Sequence, residues 1–269
     1  LKSHIDTELN GRMVFIGGPR QVGKTTLAKE FLSDSRAYFS WDDLKDRELI
    51  KKHEFNTDLK TIALDEVHKY SRWRSLVKGL YDKRKEDLKI LITGSAQLDH
   101  FRKGGDSLFG RYSYFRMHPF SLNEISTNPK KVDLEALLKY GGFPEPFLRQ
   151  SESFLRKWQR ERQARVMQED LRDLVSLKEY SSIELLNSML AEKVSSLLSR
   201  TSLAEDLEKS PHTIESWLLI LESVYSCFRI SPFGVPRVKA LKKQQKLYLW
   251  DWSTAQSSGA RFENMVASH

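Results

Sequence analysis

The octapeptide Gly18-Pro-Arg-Gln-Val-Gly23-Lys24-Thr25 restricts the possible folds more than any other stretch of the chain. Its pattern, G-x-x-x-x-G-K-T, needs a backbone that turns its amides inward around phosphate oxygens, and a glycine-rich turn between a strand and a helix supplies this. Both flanks fit: Met13 to Gly17 is an apolar run of strand length, and Thr26 to Leu32 has helical spacing. A unit of this kind implies a parallel sheet with helices on its faces. The ligand implied is ATP with Mg²⁺. Gly18, Pro19, Arg20, Gln21, Val22, Gly23 and Thr26 would line the phosphates, Lys24 would set its ammonium over the β and γ phosphates, and the Thr25 hydroxyl would face Mg²⁺.

The rest of the first 120 residues alternates short apolar runs with helix-like stretches. Strands are expected at Met13 to Gly17, Ala37 to Ser40, Thr61 to Leu64, Lys89 to Thr93 and Tyr112 to Met117, with helices at Thr26 to Leu32, Leu44 to Lys52, Trp73 to Lys83 and Ala96 to Phe101. The third strand ends in Asp65-Glu66, about 40 residues after the P-loop, where Asp65 would hold the Mg²⁺ shell and Glu66 would orient and polarise water. The fourth ends in Thr93-Gly-Ser95, so the hydroxyl of Thr93 or Ser95 is expected beside the γ-phosphate. Arg111 opens the fifth strand and Arg116 lies within it, and either guanidinium could stabilise the transferring phosphoryl group, with Arg111 favoured. His68 reads as a surface or packing histidine.

After His118-Pro119 helical spacing takes over, in Phe154 and Trp158, in Met167, Leu171 and Leu174, and in Leu186, Leu190, Val194 and Leu197. Trp158 reads as core, and the GGFPEP stretch, Gly141 to Pro146, as a turn. No apolar run approaches the ~20 residues of a membrane span, so no membrane partner is expected. The start has no signal-like apolar region, the missing Met suggests trimming, and Cys227 has no partner cysteine; a cytoplasmic protein is expected. The net charge of +8 is partly local, because Arg237, Lys239, Lys242, Lys243 and Lys246 follow one another without an acidic residue.

In the order IGGPRQVGKTTL, IALDEVHK, LITGSAQL, FGRYSYFRMHPFSLNE and GGFPEP, the chain resembles a prokaryotic family of AAA-type ATPases. The resemblance implies an α/β P-loop core of five parallel strands in the order 5-1-4-3-2 with flanking helices, followed by a mostly α winged-helix domain and a nuclease-like domain of unknown function. It also marks Gly110-Arg111 as a family signature. The corresponding boundaries are 1–125 for the ATPase core, 126–180 for a helical lid or linker, 181–250 for the winged helix and 251–269 for the opening of the nuclease-like domain. Leu203 to Leu207 and Thr213 to Glu222 would be the helix-turn-helix, with wing strands at Phe228 to Ser231 and Leu247 to Trp250. DNA contact is expected through Thr213, Arg237, Lys239, Lys242 and Lys243, although Glu215 and Glu222 make the second helix a poor base reader and leave protein docking as the alternative. Tyr248 to Asp251 and Gly259 to Glu263 resemble the start of the nuclease-like domain, whose downstream metal-binding residues are not in the sequence.

The function expected is Mg²⁺-dependent ATP hydrolysis coupled to DNA. The alternatives are a nucleotide-gated switch and a DNA-binding regulator with slow or no hydrolysis. Arg111 acting on a neighbouring site would require a homo-oligomer, and the sequence does not decide between that and action within one chain.

Overall fold

The computed structural model describes residues 1–94, 108–125, 131–172, 174–234 and 244–269. The chain divides into two compact units, Leu1–Met117 and His118–His269.

The first unit contains β1 (Met13–Gly17), β2 (Tyr38–Ser40), β3 (Thr61–Asp65), β4 (Lys89–Thr93) and β5 (Tyr112–Arg116). They form one parallel sheet in the order β2-β3-β4-β1-β5, as expected. Alternate side chains of each strand go to opposite faces. Val14, Ile16, Ala63 and Leu91 are buried with Ile5 of α1 (Lys2–Glu8) and Ala28 of α2 (Lys24–Lys29). Phe15, Ile62, Leu64, Ile90 and Ile92 are buried with Ile50 of α3 (Leu44–Lys52) and with Trp73, Val77 and Leu80 of α4 (Trp73–Arg84). Burial on both faces explains why these strands read as unbroken apolar runs. Each buried side chain contributes roughly 1.5–3 kcal/mol, and Ile92→Ala would cost about 2–5 kcal/mol through the cavity it leaves.

Local signals set the helix ends. Asp43 caps α3 by accepting from the Lys45 and Asp46 amides, and His53 ends it in the left-handed conformation. The first helix after the P-loop begins at Lys24, two residues before the expected Thr26, because Gly23 (φ 99°) serves as its N-cap. The helix expected at Ala96 to Phe101 lies outside the described residues.

In the second unit come α5 (Leu122–Ile125), α6 (Lys131–Tyr140), α7 (Pro144–Arg149), α8 (Glu152–Arg165) and a π-helical turn, Val166–Leu171. They are followed by α9 (Leu177–Leu190), α10 (Arg200–Asp206), α11 (Pro211–Ser223), β6 (Cys227–Ile230), β7 (Lys246–Leu249) and α12 (Ser258–Ser268). Gly142 is explained by packing: a Cβ there would lie 2.5 Å from Trp252 and 2.8 Å from the Phe120 carbonyl oxygen. Trp158, 2% exposed and 5.1 Å from the Phe143 ring, is core.

Helices α10 and α11, the antiparallel β6–β7 pair and a bridge from Leu197 to Lys246 follow one another in this region. The expected helical face through Leu186, Leu190, Val194 and Leu197 is corrected here. The helix stops at Leu190, Ser195 turns the chain at φ 63°, and its amide donates to the Leu247 carbonyl over 2.8 Å, so Leu197 sits beside the hairpin. Residues 118–125 pack in the second unit. So do residues 251–269: Asn264 bonds both the amide and the carbonyl of Leu249, and Trp252 donates to Leu137.

Candidate nucleotide site

The P-loop leaves the sheet where β1 ends. Gly18 has φ 144°, and a Cβ there would lie 2.3 Å from the Met117 carbonyl oxygen, so only glycine fits. Gly18, Pro19 and Val22 are buried, Arg20, Gln21, Gly23 and Thr25 are half-buried, and Thr26 is exposed. Lys24 is only 8% exposed, and its ammonium donates to the carbonyls of Gly18 (3.0 Å) and Pro19 (2.7 Å). A buried ammonium held over a loop of this shape suits an incoming phosphate.

Asp65 lies at the centre of the next layer. β3 and β4 place it opposite Thr93, whose hydroxyl donates to Asp65 Oδ1 over 2.5 Å. The other oxygen, Oδ2, accepts from Thr25 Oγ1 at 3.4 Å and from the Tyr38 phenol. Thr25, Asp65 and Thr93 are therefore brought together as expected; Tyr38 is an addition. Burial, followed by the hydrogen bond to Asp65, pushes the Tyr38 hydroxyl well above the usual phenol range, so it stays a donor. A tyrosine opening a strand reads as packing, and only its register places it here: Tyr38 pairs with Ala63, two residues before Asp65 and on the same face.

Glu66 follows with φ 57° and ψ 19°, a left-handed conformation that is costly for a non-glycine residue and that concentrates at functional sites. Its amide donates to the Thr93 carbonyl over 3.0 Å, tying it to β4. Burial raises its carboxyl pKa, opposed by the nearby Lys69, whose ammonium is 3.7 Å away. His68 Nε2 lies 3.5 Å from the same carboxylate. Burial first, and then the positive charge of Lys69, pushes the His68 pKa down to about 3, so the contact joins a neutral imidazole to a carboxylate and is not an ion pair. At 3% exposure His68 is a buried packing residue.

Arg111 is not brought to this cluster. β1 and β5 are parallel, with Met13 opposite Tyr112 and Gly17 opposite Arg116, so Arg111 lies at the end of the sheet away from the P-loop. Five strand residues at about 3.3 Å each separate the two levels by ~16 Å. Its guanidinium bonds Asp82 of α4 over 2.8 Å. Arg116 is the arginine at the P-loop end, beside Gly17. Ser95 lies outside the described residues.

Of the expected DNA contacts, Arg237, Lys239, Lys242 and Lys243 lie outside the described residues. Thr213 is half-buried in the first turn of α11, and its amide and hydroxyl both bond the N-capping Ser210 Oγ, at 3.1 and 2.8 Å. Glu215 and Glu222 are held by one buried arginine of β6: Arg229 reaches Glu215 at 2.8 Å and Glu222 at 2.7 Å, and Arg200 adds a contact to Glu215 at 3.3 Å. Both acids are thus neutralised within the unit, and the exposed face of α11 carries His212, Ser216 and Leu219.

Residues 10–126 match the family described as AAA domain, and residues 131–260 match a family described as a domain of unknown function (DUF8612). An uncharacterized protein of Mycobacterium tuberculosis is 22% identical over 243 residues, covering 89% of this chain and 54% of its own length. An uncharacterized protein of Methanocaldococcus jannaschii is 24% identical over 289 residues, covering 93% and 64%. The chain thus spans between about half and two thirds of the length of these relatives. Among solved structures, the Aeropyrum pernix Orc1 protein in complex with DNA aligns over 95% of this chain and 86% of that one, at 13% identity and a TM-score of 0.42. The strand order, the P-loop and the family match over residues 10–126 agree: the first unit of this chain is an AAA-type P-loop domain.

Proposed function

We propose that this protein binds ATP with Mg²⁺ at the P-loop and hydrolyses it. The observation that carries the reading is the convergence of Thr25, Asp65 and Thr93 at the end of the sheet where Lys24 is buried in its loop. Among the described residues no three His, Cys, Asp or Glu side chains gather as a metal site, so Mg²⁺ would be held by Thr25, by Asp65 through its hydration shell, and by the phosphates. When bound, Mg²⁺ would supply positive charge to offset that of the phosphates. Lys24 leaves its carbonyl partners for the β and γ phosphates, Thr93 fixes the Asp65 carboxylate, and Glu66 accepts a proton from the attacking water. Its left-handed backbone, tied to Thr93, holds the carboxylate beyond the strand end.

Arg111 cannot serve its own P-loop from the far end of the sheet, so we assign it to the site of a neighbouring copy in a homo-oligomer. Titration of wild type and Lys24→Ala with a fluorescent ATP analogue tests the central reading. Lys24→Ala should lose tight binding, and unchanged affinity would remove it.

A second reading, DNA association through the winged-helix region, gains from the Arg229 contacts. They withdraw Glu215 and Glu222 from the surface charge that would repel a phosphate backbone. DNA-stimulated turnover that falls as salt rises would support it. The same region docking a protein remains the alternative, and a cytoplasmic location fits both.

A further inference from the structure

The 3₁₀ turn Val67–Lys69 continues directly from Glu66 and brings two nitrogen-bearing side chains to one oxygen of that residue. Lys69 Nζ stands 3.7 Å from Glu66 Oε2, and His68 Nε2 stands 3.5 Å from it. The ammonium is committed elsewhere, because both oxygens of Asp42 accept from it, at 2.8 and 2.7 Å. The imidazole is not. Its two ring nitrogens are buried and make no hydrogen bond among the described residues.

Packing accounts for the position of this ring but not for its nitrogens. An apolar side chain of similar volume would fill the same space without leaving a polar atom unmet, and an orphaned buried donor is costly. Such groups are uncommon in folded proteins, and a catalytic role is one recurrent reason for them. The ring is neutral, so it carries one proton, and the carboxylate facing Nε2 favours the tautomer that places the proton there. The separation is about half an ångström longer than a good N–H···O bond. Catalytic hydrogen bonds are often long before the ligand arrives and shorten once it is bound. His68 and Lys69 both approach Oε2, which leaves Oε1 to take the proton of the attacking water.

We propose that His68 is a positioning residue for hydrolysis: with nucleotide bound, its Nε2–H donates to Glu66 Oε2 and turns Oε1 toward the water. The inference rests on the reading of Glu66 as the base.

Steady-state turnover at saturating ATP and Mg²⁺, and affinity for a fluorescent ATP analogue, are measured on the full chain for His68→Leu, His68→Gln, Glu66→Gln and the double variant His68→Leu/Glu66→Gln. His68→Leu should turn over at least about tenfold more slowly with analogue affinity unchanged, since a 1 Å misplacement of a reacting group can cost about 10²-fold. The side-chain amide of glutamine can put a donor where the imidazole Nε2 stands, so His68→Gln should recover most of the loss. The double variant should be no slower than Glu66→Gln, because the histidine acts only through that carboxylate. His68→Met, equally without a donor, repeats the test should the leucine variant not fold. The proposal is overturned if the donor-free variants keep wild-type turnover, if His68→Gln is as slow as they are, or if the two losses multiply in the double variant. Wild-type turnover in Glu66→Gln would remove the base reading and this proposal together, whereas a slow Glu66→Gln beside an unimpaired His68→Leu removes this proposal alone.

Discussion

The Tyr38 phenol and the Thr25 hydroxyl bond the same carboxylate oxygen, Oδ2 of Asp65. Were Asp65 to hold the water shell of Mg²⁺ through that oxygen, Tyr38 would compete with the shell for it. Tyr38→Phe should therefore lower the Mg²⁺ concentration for half-maximal nucleotide binding several-fold, while binding without Mg²⁺ stays unchanged. Magnesium titrations monitored with a fluorescent nucleotide read this directly. An unchanged or higher Mg²⁺ requirement would show that Tyr38 assists the metal or is only packing.

Glu66→Gln keeps the side-chain shape and removes the base. Nucleotide binding should persist while turnover falls at least about tenfold, since general bases contribute about 10²–10⁴. The pH profile gives a second reading. Burial raises the Glu66 pKa, and the base works ionised, so wild-type turnover should fall on acidification at a pH above the ordinary glutamate range. An acid limb at the ordinary value would place catalysis on a better-solvated group.

The P-loop, Asp65 and Glu66 were legible in the sequence because their chemistry is local: a turn of fixed length, then acids at the end of an apolar strand. Tyr38 was not, because its role arises from pairing β2 with β3, a relation between residues 27 positions apart. The helical spacing that ran on through Leu197 failed for a related reason, since the hydrogen bond from Ser195 to Leu247 overrides local periodicity. The placement of Arg111 follows from the parallel topology. In a parallel sheet, the residue that opens a strand lies at the end opposite a loop that closes one.

His68 makes stability depend on pH. Its folded pKa of about 3 lies below the unfolded value of 6.5, so between these values the unfolded chain binds the extra proton. The neutral buried imidazole therefore contributes stability that is fully present above about pH 6.5 and is lost as pH falls toward 3, with a slope of up to ~1.4 kcal/mol per pH unit. Urea unfolding of wild type and His68→Leu across this range isolates the contribution. The difference between the two should shift toward the variant on acidification, and parallel curves would mean that His68 titrates normally.

Arg111 provides the sharpest test of assembly. It is bound to Asp82 at the end of the sheet away from the P-loop of its own chain, so the proposed role in hydrolysis requires a neighbouring copy. Arg111→Ala should bind ATP normally and hydrolyse it poorly, because the charge that stabilises the transferring phosphoryl group is lost. Wild-type specific activity should rise with protein concentration as copies associate. Mixing Arg111→Ala with Glu66→Gln should then restore part of the activity, since some interfaces pair an intact Glu66 from one chain with an intact Arg111 from the other. If sedimentation shows the chains associated and the mixture is still inactive, Arg111 is a structural partner of Asp82, and Arg116 beside Gly17 becomes the arginine to substitute next.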